Sequence, residues 1–387
     1  MRKNNIGKVL KLGFLYLSTI IGAGFATGRE IRVYFTDYGV SGFIGLGIST
    51  ILLIGAGCAI TLIVYKTKTE TVSEFNEIIG GKYLGKALTI VISSFSYCLY
   101  VIILAGLADL CKQNFGIDKI YTVLMVTVIS LLVHTCGFKA LTYVCSLSAP
   151  VITICVLIVA FLTLKTDFSL EETRFIPMST FSAVLYVGYN ILVAISIMSR
   201  AVSLIDSKKT AIGGVVIGTL SIMICALIVN ISLFMSYERI KYSDMPLLTL
   251  VELYMGNWGY GLFLGMLLGT MLTSAISGLS SVLHIAGNKG GMVFVVLSIP
   301  LSFIGFGPLM DILYPLYGAF GILVLLMLVL SVRIIYNKAR DDQFDKQANR
   351  YKLRKTKKEK FKKKIHIHSS PTPGSNYSAS YLRDRSV

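Results

Sequence analysis

Long apolar runs alternate with short polar connections along the chain, and the runs are too long for the core of a soluble domain. A helix crossing a bilayer needs about 20 predominantly apolar residues. Ten stretches reach or approach that length: 9–35, 40–64, 87–109, 119–137, 140–164, 179–198, 212–235, 259–286, 292–307 and 312–336, the ninth being short. The pattern predicts an all-α polytopic membrane protein with ten transmembrane helices.

Two of these spans depart from a plain apolar helix. In the first, Val9 to Ile20 is apolar nearly all round; Ile21-Gly22-Ala23-Gly24-Phe25-Ala26-Thr27-Gly28 follows; the helical pattern then resumes, charged, at Arg29-Glu30-Ile31-Arg32. Each glycine costs about 1 kcal/mol against alanine in a helix interior, so three within seven residues predict a break. A break frees backbone carbonyls before it and N–H groups after it, and in hydrocarbon such groups must find partners. A cation suits the first kind of end and an anionic group the second, which makes the break a candidate binding site. Two other readings stand beside this one. The Gly-x-Gly-x-x-x-Gly spacing resembles a dinucleotide-binding turn, but that turn follows a short buried strand rather than a long apolar run. Alternatively, the glycines only let helices pack closely.

The sixth span carries Leu185-Tyr186-Val187-Gly188-Tyr189-Asn190 at mid-depth. Taken alone, Gly188 reads as a packing glycine and Asn190 as a helix–helix hydrogen bond. Position adds a second reading. Ten spans divide into two sets of five, about 9–164 and 179–336, and an interruption falls in the first span of each. An odd number of spans per set gives the halves opposite topology, so the expectation is a 5+5 inverted repeat with helices 1 and 6 broken and the site between the repeats.

Charge sets the orientation. Lys66, Lys68, Lys82, Lys86, Lys139, Arg200, Lys208, Lys209 and Lys289 fall on the side of both termini, while the opposite loops mix their basic residues with Asp167, Glu171, Glu172, Glu238, Asp244 and Glu252. The Lys/Arg bias predicts a cell-membrane protein with both termini cytoplasmic. On the outer side, Met245 to Leu253 reads as a short amphipathic lid; on the inner side, 71–84 reads as a surface helix ending at Gly80-Gly81. Within 337–387, Lys and Arg crowd the stretch from Lys338 to Lys364, and Ser369-Ser370-Pro371-Thr372-Pro373-Gly374-Ser375 follows, so 1–336 is the core and the rest a basic tail disordered in character. A juxtamembrane basic run next to the bilayer reads as a contact with anionic lipids, and no folded nucleic-acid reader accompanies it.

Composition agrees with the membrane reading. Of the 387 residues 54% are hydrophobic and only 15% charged, against about 25% charged in ordinary soluble domains, and mean hydropathy is +0.72. The seven cysteines show no metal-ligand spacing and read as buried small hydrophobes. The amino-terminal stretch resembles a signal peptide, but the string around Phe25 and Arg29 is a poor cleavage site, so no cleavage is expected. No nucleophile–base set, carboxylate pair or phosphate loop lies at usable spacing, so no enzyme activity is expected. Tyr97 and Tyr100 can donate to a substrate carboxylate or simply pack. Thr270, Thr273, Ser274, Ser277, Ser280 and Ser281 stud the eighth span; they either pack it and bond to their own carbonyls or offer ligands to a hard monovalent cation. Arg29 and Glu30 sit at the outer end of the first break, as an outer gate with a charge such as Asp109 or Asp311, or as interfacial charges.

Gly22-Ala23-Gly24-Phe25-Ala26-Thr27-Gly28-Arg29-Glu30-Ile31, with Tyr34-Phe35 and Tyr38-Gly39, resembles the YkvI-type bacterial membrane proteins of the amino acid–polyamine–organocation superfamily, over about residues 5–336. The resemblance implies the leucine-transporter fold. It implies that Gly22, Ala23 and Gly24 face a substrate carboxylate, and that Tyr186, Val187, Gly188, Tyr189 and Asn190 face its ammonium and side chain. It implies one sodium site from carbonyls of Ser18 and Ile21 and hydroxyls of Thr273 and Ser274. Phe25 stands in the substrate region where two-sodium relatives have an asparagine, which argues against a second sodium, and no lysine lies within the fifth span to replace the ion. The expected function is secondary transport of a small organic solute, an amino acid or related zwitterion or anion, by alternating access. One sodium ion is the expected coupling ion, an exporter or facilitator without ion coupling is a further reading, and no cofactor is expected. The alternative is a membrane receptor or scaffold whose basic tail binds lipid or a partner.

Overall fold

A computed structural model describes residues 2–135, 154, 157–161 and 178–333. Their regular elements are helices. The first apolar run becomes three pieces: α1 (Arg2–Ile20), α2 (Ala23–Thr27) and α3 (Arg29–Tyr34). A short 3-10 turn, Thr36–Tyr38, leads into α4 (Ser41–Thr67), which Lys68 closes in the left-handed conformation. Then come α5 (Val72–Phe115), α6 (Lys119–Thr135), α7 (Ser179–Met198), α8 (Lys208–Met235) and the single turn α9 (Tyr237–Ile240). A helical run α10 (Pro246–Ser302) and α11 (Phe306–Arg333) complete the described chain.

Two of the long runs are bent by glycine. In α5, Gly81 adopts φ 68° and ψ −175°, so the surface helix expected over 71–84 doubles back onto the third span at the expected Gly80-Gly81 pair. Thr71 caps its start by accepting from the Glu74 N–H at 3.2 Å, an arrangement worth about 1 kcal/mol. In α10, Gly256 takes φ 64° just after the lid segment. Further on, a Cβ at Gly291 would lie 3.2 Å from the Leu283 Cα, so the run folds back between these residues, which separates the short ninth stretch, Gly290–Ser302, from the eighth.

Among the described residues six helices are long and apolar enough to cross a membrane, and Lys119–Thr135 and Gly290–Ser302 are shorter apolar helices. Large apolar side chains face outward, Val329 being 68% exposed and Ile51 72%, while Ser49, Thr61, Asn76 and Asn230 are buried. That inverted distribution is what lipid in place of water demands. The protein is a multi-pass membrane protein. Most of the expected fifth span and the whole of the tail, 337–387, lie outside the described residues.

Small residues bring the helices together. α1 packs on α8 where a Cβ at Gly218 would lie 2.7 Å from the Gly13 carbonyl oxygen. α4 packs on α7 and α8, and α5 on α6 and α10. The expected break in the sixth span is corrected by the structure: α7 runs unbroken from Ser179 to Met198. One glycine in an apolar 20-residue stretch costs about 1 kcal/mol, too little to open a helix whose freed groups would have no partner in hydrocarbon. The missing side chain serves packing instead. A Cβ at Gly188 would collide with the Gly318 carbonyl oxygen, and one at Gly318 would lie 2.7 Å from the Leu185 carbonyl oxygen, so α7 and α11 touch backbone to backbone.

Gly188→Ala should therefore lower stability by about 1–3 kcal/mol through overpacking. Gly47→Ala, with nothing within 4 Å of the added carbon, should be neutral or slightly stabilising. Thermal unfolding of both variants in detergent, followed by circular dichroism, checks the contrast; equal melting temperatures would remove the packing role.

Candidate functional site

The chain leaves helical geometry at Ile21 and Gly22, where α1 ends and Gly22 sits extended at φ −114° and ψ −164°. It turns again at Gly28, whose φ of 80° is the left-handed region that favours glycine. Gly28 also admits Leu247, whose Cγ would lie 2.8 Å from an added Cβ. Between and after these turns the short helices α2 and α3 are buried, charges included: Arg29, Glu30 and Arg32 are all enclosed.

The three charges part company. Arg29 and Arg32 point to the end of the break nearest the segment 236–247. The Arg29 guanidinium donates to both oxygens of Asp311 on α11 at 2.9 Å each and also bonds Asp244. Its own side chain is 5% exposed while the two acids are more than half exposed, so it acts as a stopper with its partners on the solvent side. A charge-assisted contact between a guanidinium and a carboxylate is among the stronger polar contacts. Arg32 Nη1 donates to the carbonyls of Ile240, Lys241 and Ser243 at 3.2, 2.8 and 2.6 Å. Its Nε lies 3.8 Å from Asp37, whose carboxyl burial pushes above its ordinary range against the pull of that guanidinium. The lid segment beyond is seated by Leu247, Leu248, Leu250 and Val251, all buried. Of the two gate acids considered, Asp311 is the one Arg29 meets; Asp109 instead pairs with Lys119 at 2.5 Å and accepts from the Phe306 N–H at 3.1 Å.

Glu30 turns the other way, into the protein. It is 4% exposed, and its carboxylate lies over Gly24, where a Cβ would collide with Oε1. The Tyr189 hydroxyl donates to Oε2 at 2.9 Å, and the Tyr314 hydroxyl also faces the carboxylate. Aromatic rings enclose the group: Tyr189 stands 4.7 Å from Tyr314 and 5.5 Å from both Tyr34 and Tyr186, and Phe95 packs 4.5 Å from Tyr317. Ser182 Oγ donates to the Tyr34 carbonyl at 2.8 Å and fixes the end of α3 to α7. Among the described residues no cationic side chain is paired with Glu30.

The expected site residues divide accordingly. Gly24 and Tyr189 meet through Glu30, and Tyr186 lines the same aromatic wall. Gly22, Ala23 and Phe25 lie at the break, the last two buried. Gly188 serves the α7–α11 contact, and Val187 is buried beside it. Asn190 spends its amide on its own helix, donating to the Tyr186 carbonyl at 2.9 Å. Tyr97 does not join the group; its ring packs against Phe294 at 5.2 Å, and Phe95 is the α5 residue that reaches the cluster. Of the expected sodium ligands, Ile21 is buried at the break, and Ser18 and Thr273 donate to Leu15 and Thr270 on their own helices at 2.8 Å, which leaves their oxygen lone pairs free to accept; Ser274 is half-buried nearby. α2 packs against α10, the run that holds Thr273 and Ser274. Among the described residues no group of three or more His, Cys, Asp and Glu that could hold a metal ion comes together.

Sequence reasoning missed Tyr314, Tyr317 and the central place of Glu30. A signal existed: Asp311, Tyr314, Gly318 and Gly321 recur at i, i+3, i+7 and i+10 along an apolar span, one polar and small face of a helix.

The chain matches no established family profile. It is similar to the uncharacterized membrane protein YkvI of Bacillus subtilis (strain 168), 26% identical over 329 residues that span 81% of this chain and 92% of that one. It is also similar to the uncharacterized protein YyaD of the same organism, 23% identical over 340 residues, 83% of this chain and 96% of that one. Among solved structures it resembles a Na+-coupled sialic acid symporter in a substrate-bound outward-open state, at a TM-score of 0.53 and 14% identity, covering 85% of this chain and 75% of that one. The Eremococcus coleocola manganese transporter gives a TM-score of 0.52 at 15% identity, over 85% and 79% of the two chains. Inward-facing Mhp1 gives 0.50 at 15%, over 81% and 73%. These likenesses show the fold: a leucine-transporter-type arrangement of membrane helices.

Gly24→Ala should push the Glu30 carboxylate off Tyr189 and cost about 1–3 kcal/mol. Gly22→Ala, with open space around the added carbon, should cost little. Combining Gly24→Ala with Glu30→Ala should recover most of the loss if the collision is its cause. Melting temperatures of the four proteins in one detergent test the cycle; strict additivity would disprove the contact.

Proposed function

We propose that this protein is a secondary transporter of a small organic solute, an amino acid or a related zwitterion or anion, working by alternating access in the cell membrane. The observation that carries this reading is the interruption at Ile21–Gly22 with a buried carboxylate and two buried guanidinium groups gathered beside it. Unpaired backbone and ionisable side chains inside a membrane are costly and mark solute and ion pathways. The leucine-transporter-type fold supports the same conclusion. Within this reading the chain forms ten spans as a 5+5 inverted repeat in which only the first helix is broken, both termini face the cytoplasm, and the basic tail lies against anionic lipid.

Coupling to one sodium ion belongs to the proposal, with carbonyls of Ser18 and Ile21 and hydroxyls of Thr273 and Ser274 as ligands. What supports it is the Thr273 hydroxyl, whose proton is already donated to the Thr270 carbonyl within its helix and whose oxygen keeps lone pairs for a cation.

The test is uptake of radiolabelled amino acids into proteoliposomes of the purified full chain, with and without an inward sodium gradient. Saturable uptake stimulated by sodium is expected. Thr273→Ala with Ser274→Ala should need several-fold more sodium, since each lost ligand of this type is worth about 1 kcal/mol. Absence of saturable flux for any solute would overturn the transporter reading and leave a receptor or scaffold. Orientation has its own check. In a cysteine-free background, a cysteine at the exposed position 242 should label from outside sealed cells and one at the exposed position 209 should not; labelling at 209 would reverse the topology.

A further inference from the structure

We propose that Glu30 is a proton-carrying carboxyl: it holds a proton while the α3 end of the break is closed and yields it to water when that end opens, so that solute movement is tied to proton movement. This rests on the transporter reading and adds to it an ion and a residue that the resemblance does not supply.

The surroundings of Glu30 carry the inference. Its side chain is enclosed at 4% exposure, and an ionised carboxylate so placed needs a counter-cation or a proton. No cation is available nearby among the described residues. Arg29, its sequence neighbour, is held by Asp311 and Asp244, and Arg32 is held by three backbone carbonyls with Asp37 behind it. The titratable groups that face Glu30 are phenols: Tyr34 on α3, Tyr186 and Tyr189 on α7, and Tyr314 on α11. α5 contributes Phe95 to the wall around it, and α2 contributes Gly24, both uncharged. Phenols can donate to a carboxyl and accept from one. A protonated Glu30 therefore accepts from Tyr189 on Oε2 and has hydroxyl oxygen within its surroundings to receive its own O–H.

Volume selects the proton over other cations. The carboxyl sits on Gly24 so closely that one added carbon there would collide with it, and the Tyr189 hydroxyl closes on its other oxygen at 2.9 Å. A proton needs no cavity; a sodium ion or an organic ammonium does. The release step is simple. When Arg29 leaves Asp311 and Asp244, the O–H bond of the Glu30 acid breaks, the proton passes to a water molecule entering at that end, and the carboxylate remains with the freed Arg29 guanidinium as the nearest counter-charge. Reprotonation by water from the opposite side resets the group.

Infrared spectroscopy of the full chain in lipid, stepped through pH, reads the site without knowing the solute. The wild type should show the carbonyl stretch of a protonated carboxylic acid at neutral pH. Glu30→Gln should lack it, and Tyr189→Phe should shift it by removing the 2.9 Å hydrogen bond. Tyr189→Phe keeps the test decisive if Glu30→Gln fails to fold. Identical spectra for wild type and both variants would overturn the proposal. So would an acid band that disappears on adding sodium chloride or tetramethylammonium chloride at constant pH, since Glu30 would then hold a cation. In proteoliposomes loaded with a pH dye, adding an amino-acid mixture should move protons across the bilayer with the wild type, and Glu30→Gln should lose that proton movement. A Glu30 acid band without flux would sink the transporter reading alone; flux without the band would sink the proton site alone.

Discussion

Hydrocarbon gives neither a backbone N–H nor a charged side chain anything to bind, and within fourteen residues this chain brings both into it. The interruption at Ile21–Gly22 opens the backbone, and α3 then buries Arg29, Glu30 and Arg32. Much of the architecture answers that load. Asp311 on α11 and Asp244 before α10 hold one guanidinium, three carbonyls of 240–243 hold the other, and Ser182 on α7 holds the end of α3. Because elements far apart in sequence converge on six residues, the contact between α7 and α11 must be tight, and Gly188, Gly318 and Gly321 make it so.

Glycine does two different jobs in these helices, and that difference limited what the sequence revealed. In the first span three glycines within seven residues exceed what a helix tolerates, and the break was legible. In the sixth a single glycine between Tyr186 and Tyr189 looked equivalent only because of its position in the order of spans. A local pattern cannot distinguish a glycine that frees the backbone from one that admits a neighbouring backbone. The answer depends on α11, more than a hundred residues away.

Span positions were largely legible because hydropathy is a local property: Ser179–Met198 falls where expected, and α4, α6 and α8 differ by a few residues at their ends. The gate partner was partly legible, since Asp311 was one of two acids considered. Glu30 was misread as peripheral because it lies beside Arg29 in sequence. Adjacent residues on a helix point about 100° apart, so two neighbouring charges can face opposite ways, one toward solvent-exposed acids and the other toward a wall of phenols. The same helical geometry separates two aromatic residues of α5: Phe95 packs against Tyr189 of the cluster, and Tyr97, two positions later, packs against Phe294.

The two ends of the broken helix are held with unequal strength. At the α3 end the guanidinium groups are buried and bonded several times over. At the α1 end Lys8 pairs with Asp206 at 3.0 Å, with both side chains about 40% exposed. An exposed pair contributes at most about 1 kcal/mol, whereas a buried guanidinium that loses its partners is left as an uncompensated charge, at greater cost. This conformation is therefore latched at the α3 end. The latch acts through Arg29, whose nearest neighbour in the chain is Glu30. Any motion that draws Arg29 away from Asp311 also moves the backbone that seats Glu30 on Gly24, so opening that end and hydrating the carboxyl become one event.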